Sequence, residues 1–327
     1  MRELLRSPRL EVAVLSMVVA AAAGGALAGA RPPEAAPGAL AAKIPLRAQG
    51  ARTGSEFVAY VRGMAPAERE QAILEEMLGG NIPPFLRRLR PIELTCCGPT
   101  RRAEPEATAR VWVMPDYLAI GSDDDFVRFP ANFETATTVA RAFGFVLPTA
   151  AIVDAIYQQA DFRLAPQPMT PGPAMTSTAY FQAHDAKIRQ QWRGRPLGEL
   201  TAGHKKDYVL TNRLALARSR EAIYGWHRGV GDPIQPLSLV HGARYADYSH
   251  GVRLVSETVF VDGVPRSFYE LLEEPRPARL LSDEGVIANA RSLMERDRSG
   301  REGVRAAAAG RAAGSRGSSS RSASGGS

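Results

Sequence analysis

Residues 207–261 read DYVLTNRLALARSREAIYGWHRGVGDPIQPLSLVHGARYADYSHGVRLVSETVFV, and this stretch decides the fold class. From about Asp207 the apolar residues stop recurring every three or four positions and fall into short extended runs. Tyr208–Leu210, Ala222–Trp226, Ile234–Val240, Val252–Val255 and Thr258–Val261 are such runs, each broken by Gly, Pro or Asp. Upstream the period is helical. Ser55 is read as the cap of a short helix with Phe57, Val58 and Val61 on one face. Pro66 opens a helix with Ile73, Leu74, Met77 and Leu78 on one face, stopped at Gly79-Gly80. Asn132 caps a helix that buries Phe133, Ala136, Val139, Ala140 and Phe143 and closes at Gly144. Thr149 caps the next, with Ile152, Val153, Ile156 and Tyr157 inward, and Ser177 caps one running through Trp192. Early strands are expected at Arg110–Met114, ending at Pro115, and at Tyr117–Ile120. Helices first and strands late predict an α+β fold, an N-terminal helical half packed on a C-terminal, mainly antiparallel β half. The chain shows no internal repeat, and no glycine-rich phosphate loop follows a strand.

Both ends read as lying outside this body. In residues 1–30 Arg2, Arg6 and Arg9 precede the apolar run Val12–Ala23, with small residues for cleavage at Ala26-Leu27-Ala28 or Ala28-Gly29-Ala30. That pattern predicts a signal peptide, or a membrane anchor if it is not cleaved, and so a secreted or extracytoplasmic protein. Residues 31–52 are Pro/Ala-rich and read as a linker, 53–298 as a single α+β domain, and 299–327 as a disordered Ser/Gly/Ala/Arg tail. The formal charge of +7 is mostly terminal: the tail carries +4 and the leader +1, which leaves a body of +2. A body so near neutrality has no field that requires nucleic acid, so no specific nucleic-acid partner is expected. Two cysteines cannot build a disulfide scaffold or a four-thiolate zinc site. Cys96 and Cys97 are adjacent, which strains a disulfide between them and leaves a redox pair or an intermolecular bridge open.

Histidine placement carries the chemical signal. His184, His204, His227, His241 and His250 all fall within 67 consecutive residues of the 327. The same interval holds Trp192, Trp226, Lys205, Lys206, Asp207, Tyr245, Asp247, Tyr248 and Ser249. His is the usual acid–base group and metal ligand near neutral pH. His184 lies on the apolar face that Phe181 and Ile188 share, so its expected role is packing. Gly121-Ser122-Asp123-Asp124-Asp125 lacks the spacing of a calcium loop and reads as a charged turn.

His241-Gly242 and Ser249-His250-Gly251, followed by Val252-Arg253-Leu254, resemble the signature of the L,D-transpeptidases of bacterial cell walls. In that family the position of Val252 is the nucleophilic cysteine. A thiolate is the centre of that reaction, so valine removes the family's chemistry and leaves the hint of a β-rich, cell-wall-related scaffold. The stretches PDYLAIGSDDDFVRFP (115–130), GHKKDYVLT (203–211) and 223–254 also resemble exported bacterial proteins of uncharacterised function.

Three chemistries suit the cluster. In the first, His227, His241, His250 and Asp207 are candidate metal ligands, with zinc as the metal and a bound water as nucleophile; no HExxH pair is present. In the second, His241, Asp247, Tyr248, His250 and Lys206 act as a metal-free acid–base set, with Tyr248 and His250 on one face of an extended strand. Lys206 would then neutralise a substrate acid, and Trp226, Tyr245 and Arg253 would bind substrate. The third, a triad of Ser249, His250 and Asp247, fails because adjacent strand residues point to opposite faces. The reading is an exported hydrolase of cell-wall or other extracellular polymer such as peptidoglycan. The alternative is a non-catalytic module that holds a glycan or peptide on Trp226, Tyr245 and Tyr248.

Overall fold

Local capping chemistry starts most of the helices. In the computed structural model, which describes residues 37–96 and 107–295, α1 (Gly54–Tyr60) begins at Thr53. The Thr53 hydroxyl accepts the Glu56 N–H at 3.3 Å and the Glu56 carboxylate accepts the Thr53 N–H at 2.8 Å, a reciprocal capping box. Ser55, the expected cap, is instead the second residue of the helix, and its N–H and hydroxyl donate to Asp125. Helix α2 (Pro66–Leu78) has proline in its first turn, where a missing N–H costs nothing. Asn132 caps α3 (Phe133–Phe143) by accepting the Thr135 N–H at 2.9 Å, and Gly144 ends it in the left-handed region at φ 75°. Thr149 and Ser177 cap α4 (Ala150–Gln159) and α5 (Thr178–Trp192) in the same way.

The large sheet has five antiparallel strands. Strands β1 (Arg90–Cys96) and β2 (Ala107–Val113) pair with each other, and β2 also pairs with β8 (Val255–Val261), which in turn pairs with β9 (Val264–Ser267). The two-residue β3 (Phe145–Val146) also adds to β8. A second sheet has the order β6-β5-β4-β7, from β4 (Lys206–Tyr208), β5 (Ile223–Gly229), β6 (Asp232–Ser238) and β7 (His250–Gly251). Its β4–β7 pair is parallel, with His250 opposite Lys206 and Gly251 opposite Asp207. Three short helices, α6 (Phe268–Glu273), α7 (Ala278–Leu281) and α8 (Ala290–Met294), return after the last strand.

The α+β class holds, with helices dominating the first half and strands the second. The large sheet, however, draws β1 and β2 from before residue 114. The early strand expected over 117–120 shrinks to Ile120–Gly121, paired with Phe126–Val127. The charged turn between them is structural: Asp123 accepts the Phe85 N–H at 2.9 Å. Packing begins earlier than the expected domain start at 53, because Ala41 and Ile44 are buried in the core. Gly80 explains how that segment closes on α2. A side chain there would lie 2.3 Å from the Pro45 carbonyl oxygen, and its φ of 79° suits glycine. The expected signal peptide or anchor (1–30) and the tail from 299 lie outside the described residues, as do Cys97 and the side chain of Cys96.

Candidate functional site

Strand β4 divides the polar residues of the second sheet between its two faces. Lys206 and Tyr208 point to one side, where they meet Glu221, His241, Tyr245, Asp247 and His250. Asp207 points to the other, where it meets Tyr117, Arg253 and His227.

On the first side the loop 239–249 is stitched to the start of β5. The Glu221 N–H donates to the His241 carbonyl at 3.2 Å, the Ala243 N–H donates to the Ser219 carbonyl at 2.8 Å, and Arg220 bridges Gly242. These bonds bring the Glu221 and His241 backbones side by side. Asp247 is occupied as an organiser. Its Oδ1 accepts the Ser249 N–H at 2.8 Å and hydroxyl at 2.6 Å, and its Oδ2 accepts the Tyr245 hydroxyl at 3.2 Å. Burial alone would raise the Asp247 carboxyl, but the Ser249 hydrogen bonds and the Lys206 charge bring it below the usual range. Ser249 spends its proton on Asp247 rather than on a histidine, so no triad forms.

His250 is fully buried. Its Nδ1 accepts the Asp247 backbone N–H at 3.2 Å, and a backbone N–H can only donate, so the neutral ring carries its proton on Nε2. Burial holds this imidazole neutral, below the ordinary histidine range. The Nε2 group has no hydrogen-bond partner among the described residues and faces Glu221 Oε1 at 3.6 Å. Neither Glu221 oxygen makes a hydrogen bond of good geometry, the Tyr208 hydroxyl being its neighbouring donor, and the side chain is fully buried. Burial, reinforced by the nearby Asp247, pushes the Glu221 carboxyl up to about 9, so it keeps its proton at neutral pH. Above this pair His241 and Tyr245 stack with ring centres 4.1 Å apart, both partly exposed. Partial burial lowers the His241 imidazole below its ordinary value.

On the far face Asp207 accepts the Tyr117 hydroxyl at 2.7 Å, and its Oδ1 lies 3.9 Å from Arg253 Nε. Burial lifts Asp207 to about 6 against the opposing pull of Arg253. His227 stacks on Tyr157 and bonds Asp154 at 2.7 Å. The four expected metal ligands therefore separate: His241 and His250 on one face, Asp207 and His227 on the other. Among the described residues no group of three or more His, Cys, Asp or Glu side chains is arranged to hold a metal ion.

No family model, curated protein or solved structure matches this chain. The site must stand on its own geometry. Val252, at the position of the transpeptidase nucleophile, is a core side chain whose carbonyl accepts the Leu118 N–H at 2.8 Å.

Several expected site residues are held by contacts within the fold. Arg253 is buried, donates to the Met114 and Thr201 carbonyls at 2.9 and 2.6 Å and lies over the Tyr117 ring, on the face away from His241 and His250. Tyr248 sits in a turn rather than a strand. That breaks the period of two, and its hydroxyl bonds Met169 at 2.8 Å, away from His250. Trp226 and Tyr248 are 5% and 3% exposed, so they offer no open stacking platform. His204 bonds Asp116 at 3.0 Å within a buried network, where Arg128 also pairs with Asp116 and Asp185. His184 packs against Tyr248 and Trp226, in line with its expected role. Glu221 is the residue that sequence reasoning missed. Its local signal is a single acid at the head of the apolar run Ala222–Ile223, which has no spacing partner.

Proposed function

We propose that this protein is an exported hydrolase of cell-wall or other extracellular polymer, working by general acid–base catalysis at the Glu221–His241 mouth of the second sheet. One observation carries the reading: the buried carboxyl of Glu221 keeps its proton while facing His250 Nε2 at 3.6 Å, a ring nitrogen with no hydrogen-bond partner among the described residues. Pairs of titratable groups whose environments push their ionisation apart are the pattern of acid–base sites. Here Glu221 is held protonated and His241, beside it at the rim, is held neutral. Water attacks the scissile centre and gives its proton to the His241 ring as the new C–O bond forms. Glu221 lies enclosed beneath the loop 239–249, so the next step requires that loop to move aside; its carboxyl then gives its proton to the leaving atom as the old bond breaks. The imidazolium proton then returns to the Glu221 carboxylate and restores both groups. Asp247 positions Tyr245 and Ser249 around the site. His250 Nε2–H is a donor aimed at the charge that Glu221 acquires after transfer. These protein groups complete the cycle by themselves. Export is supported by the basic and apolar start of the chain.

The test is hydrolysis of a panel of peptidoglycan and extracellular polysaccharides by the purified protein. Glu221→Gln and His241→Ala should each reduce the rate by about 10²–10⁴-fold, the usual contribution of one acid or base. Full activity in either variant would overturn the assignment.

A further inference from the structure

We propose that the mouth of this site reads a carboxylate on the substrate through Lys206 and the indole N–H of Trp226. The placement of that anion next to the cleaved bond rests on the hydrolase reading; the binding itself does not. Lys206 is half-buried, and its Nζ lies 5.3 Å from the centre of the Trp226 ring. Among the described residues it has no hydrogen-bond or ion-pair partner, although it stands near Asp247 and Glu221. Neither carboxyl is available to it: Glu221 holds its own proton, and Asp247 has both oxygens engaged. The charge of Asp247 offsets the burial of the ammonium only in part, since the ammonium stays below its ordinary range, and an arriving anion offsets more of it.

Trp226 supplies an independent observation. It is 5% exposed, yet its Nε1 has no acceptor among the described residues. A buried orphan donor beside an unpaired cation is the donor set that a carboxylate satisfies. The backbone at Trp226 is also held against its preference, with φ 58° in a region that bulky residues avoid. It follows Gly225, itself at φ 105°, and this irregular step on β5 turns the indole toward Lys206 on the neighbouring β4, where Gly225 pairs with Lys206. Across from Lys206 stand the neutral His241 and the Tyr245 ring stacked on it, and the one ionised acid nearby, Asp247, is engaged by Tyr245 and Ser249.

A carboxylate on an extracellular polymer comes from a sugar acid or from a peptide terminus. Calorimetric titration of the full chain separates the two sources. The ligands are trigalacturonate against its methyl ester, and N-acetyl-D-alanyl-D-alanine against its amide. One acid should bind at least about tenfold more tightly than its neutral counterpart, and which one names the source. Lys206→Gln should abolish that preference. Trp226→Phe, which keeps a ring and removes the N–H, should reduce it. Arg228→Gln, which removes an exposed charge elsewhere, should leave it unchanged. Circular dichroism establishes that each variant is folded. Equal binding of acid and neutral forms, binding of neither acid, or a preference that survives Lys206→Gln would overturn the inference. Acid-selective binding without hydrolysis of any polymer would leave it standing and remove the hydrolase reading. Equal hydrolysis of acidic and neutral polymers would do the reverse.

Discussion

At the scale of single residues, Glu221 sits in an environment that opposes its ordinary ionisation. Its carboxyl titrates near 9 in the fold against 4.5 for an ordinary glutamate, because burial opposes the charged form. The unfolded chain therefore loses its proton first, and this residue destabilises the fold progressively as pH rises from 4.5 to about 9. Glu221→Gln should raise stability at pH 7 by up to about 3 kcal/mol and flatten that slope in denaturant titrations, while activity falls. The pH–rate profile should be a bell. Its acid limb is set by His241 and lies below the ordinary histidine value, and its alkaline limb near 9 is set by Glu221. An alkaline limb that persists unchanged in Glu221→Gln would remove Glu221 as the acid. Nothing around Glu221 in the sequence announces this role. It becomes special because a backbone bond to His241, twenty positions away, draws it under the loop.

At the scale of elements, the parallel pair β4–β7 depends on one glycine. A Cβ on Gly251 would lie 2.5 Å from Tyr117 Cδ1 and 2.8 Å from Lys205 Cβ. Gly251→Ala should therefore cost about 1–3 kcal/mol in chemical denaturation through overpacking. It should also lower activity, because His250 precedes it on the same strand. The glycine that resembles part of a catalytic signature thus has a packing reason in this fold. Helix starts behave differently. Asn132→Ala removes a cap that is visible in the sequence and should cost about 1 kcal/mol. Caps are legible because their hydrogen bonds span three residues. The turn at Tyr248–Ser249 is not, because its partner Met169 is supplied from far along the chain.

At the scale of the whole molecule, neutral buried imidazoles link folding to pH. His184, His204 and His250 all titrate below the ordinary histidine value, each chiefly because burial opposes the charged ring. Their folded values lie below their unfolded ones, so the unfolded chain takes up protons first and stability drops as pH falls below about 6.5. Both ring nitrogens of His184 lack partners, and the ring is enclosed by Tyr248 and Trp226. His184→Phe should accordingly move the acid-unfolding midpoint to lower pH in a fluorescence titration. An unchanged midpoint would show that this ring does not contribute. Lys205 works in the same direction over a higher range. Burial lowers it to about 7 despite the nearby Asp185, so stability declines from pH 10.5 down to about 7. Its Nζ donates to the Tyr248 carbonyl at 2.6 Å, which ties β4 to the turn before β7.

The sequence by itself determined what short-range chemistry can specify: helix caps, the switch from a helical to an extended period, the α+β class, and the interval that holds the polar cluster. It also placed the net charge at the two termini. Only the tertiary structure decided which members of that cluster meet. Strand β4 sends Lys206 and Asp207 to opposite faces, so His227 and Asp207 part from His241 and His250. A turn at Tyr248 removes its hydroxyl from the site. Glu221 enters through a backbone bond that no local pattern encodes. Burial then sets the protonation of each group, and burial belongs to the packed chain rather than to any residue in it.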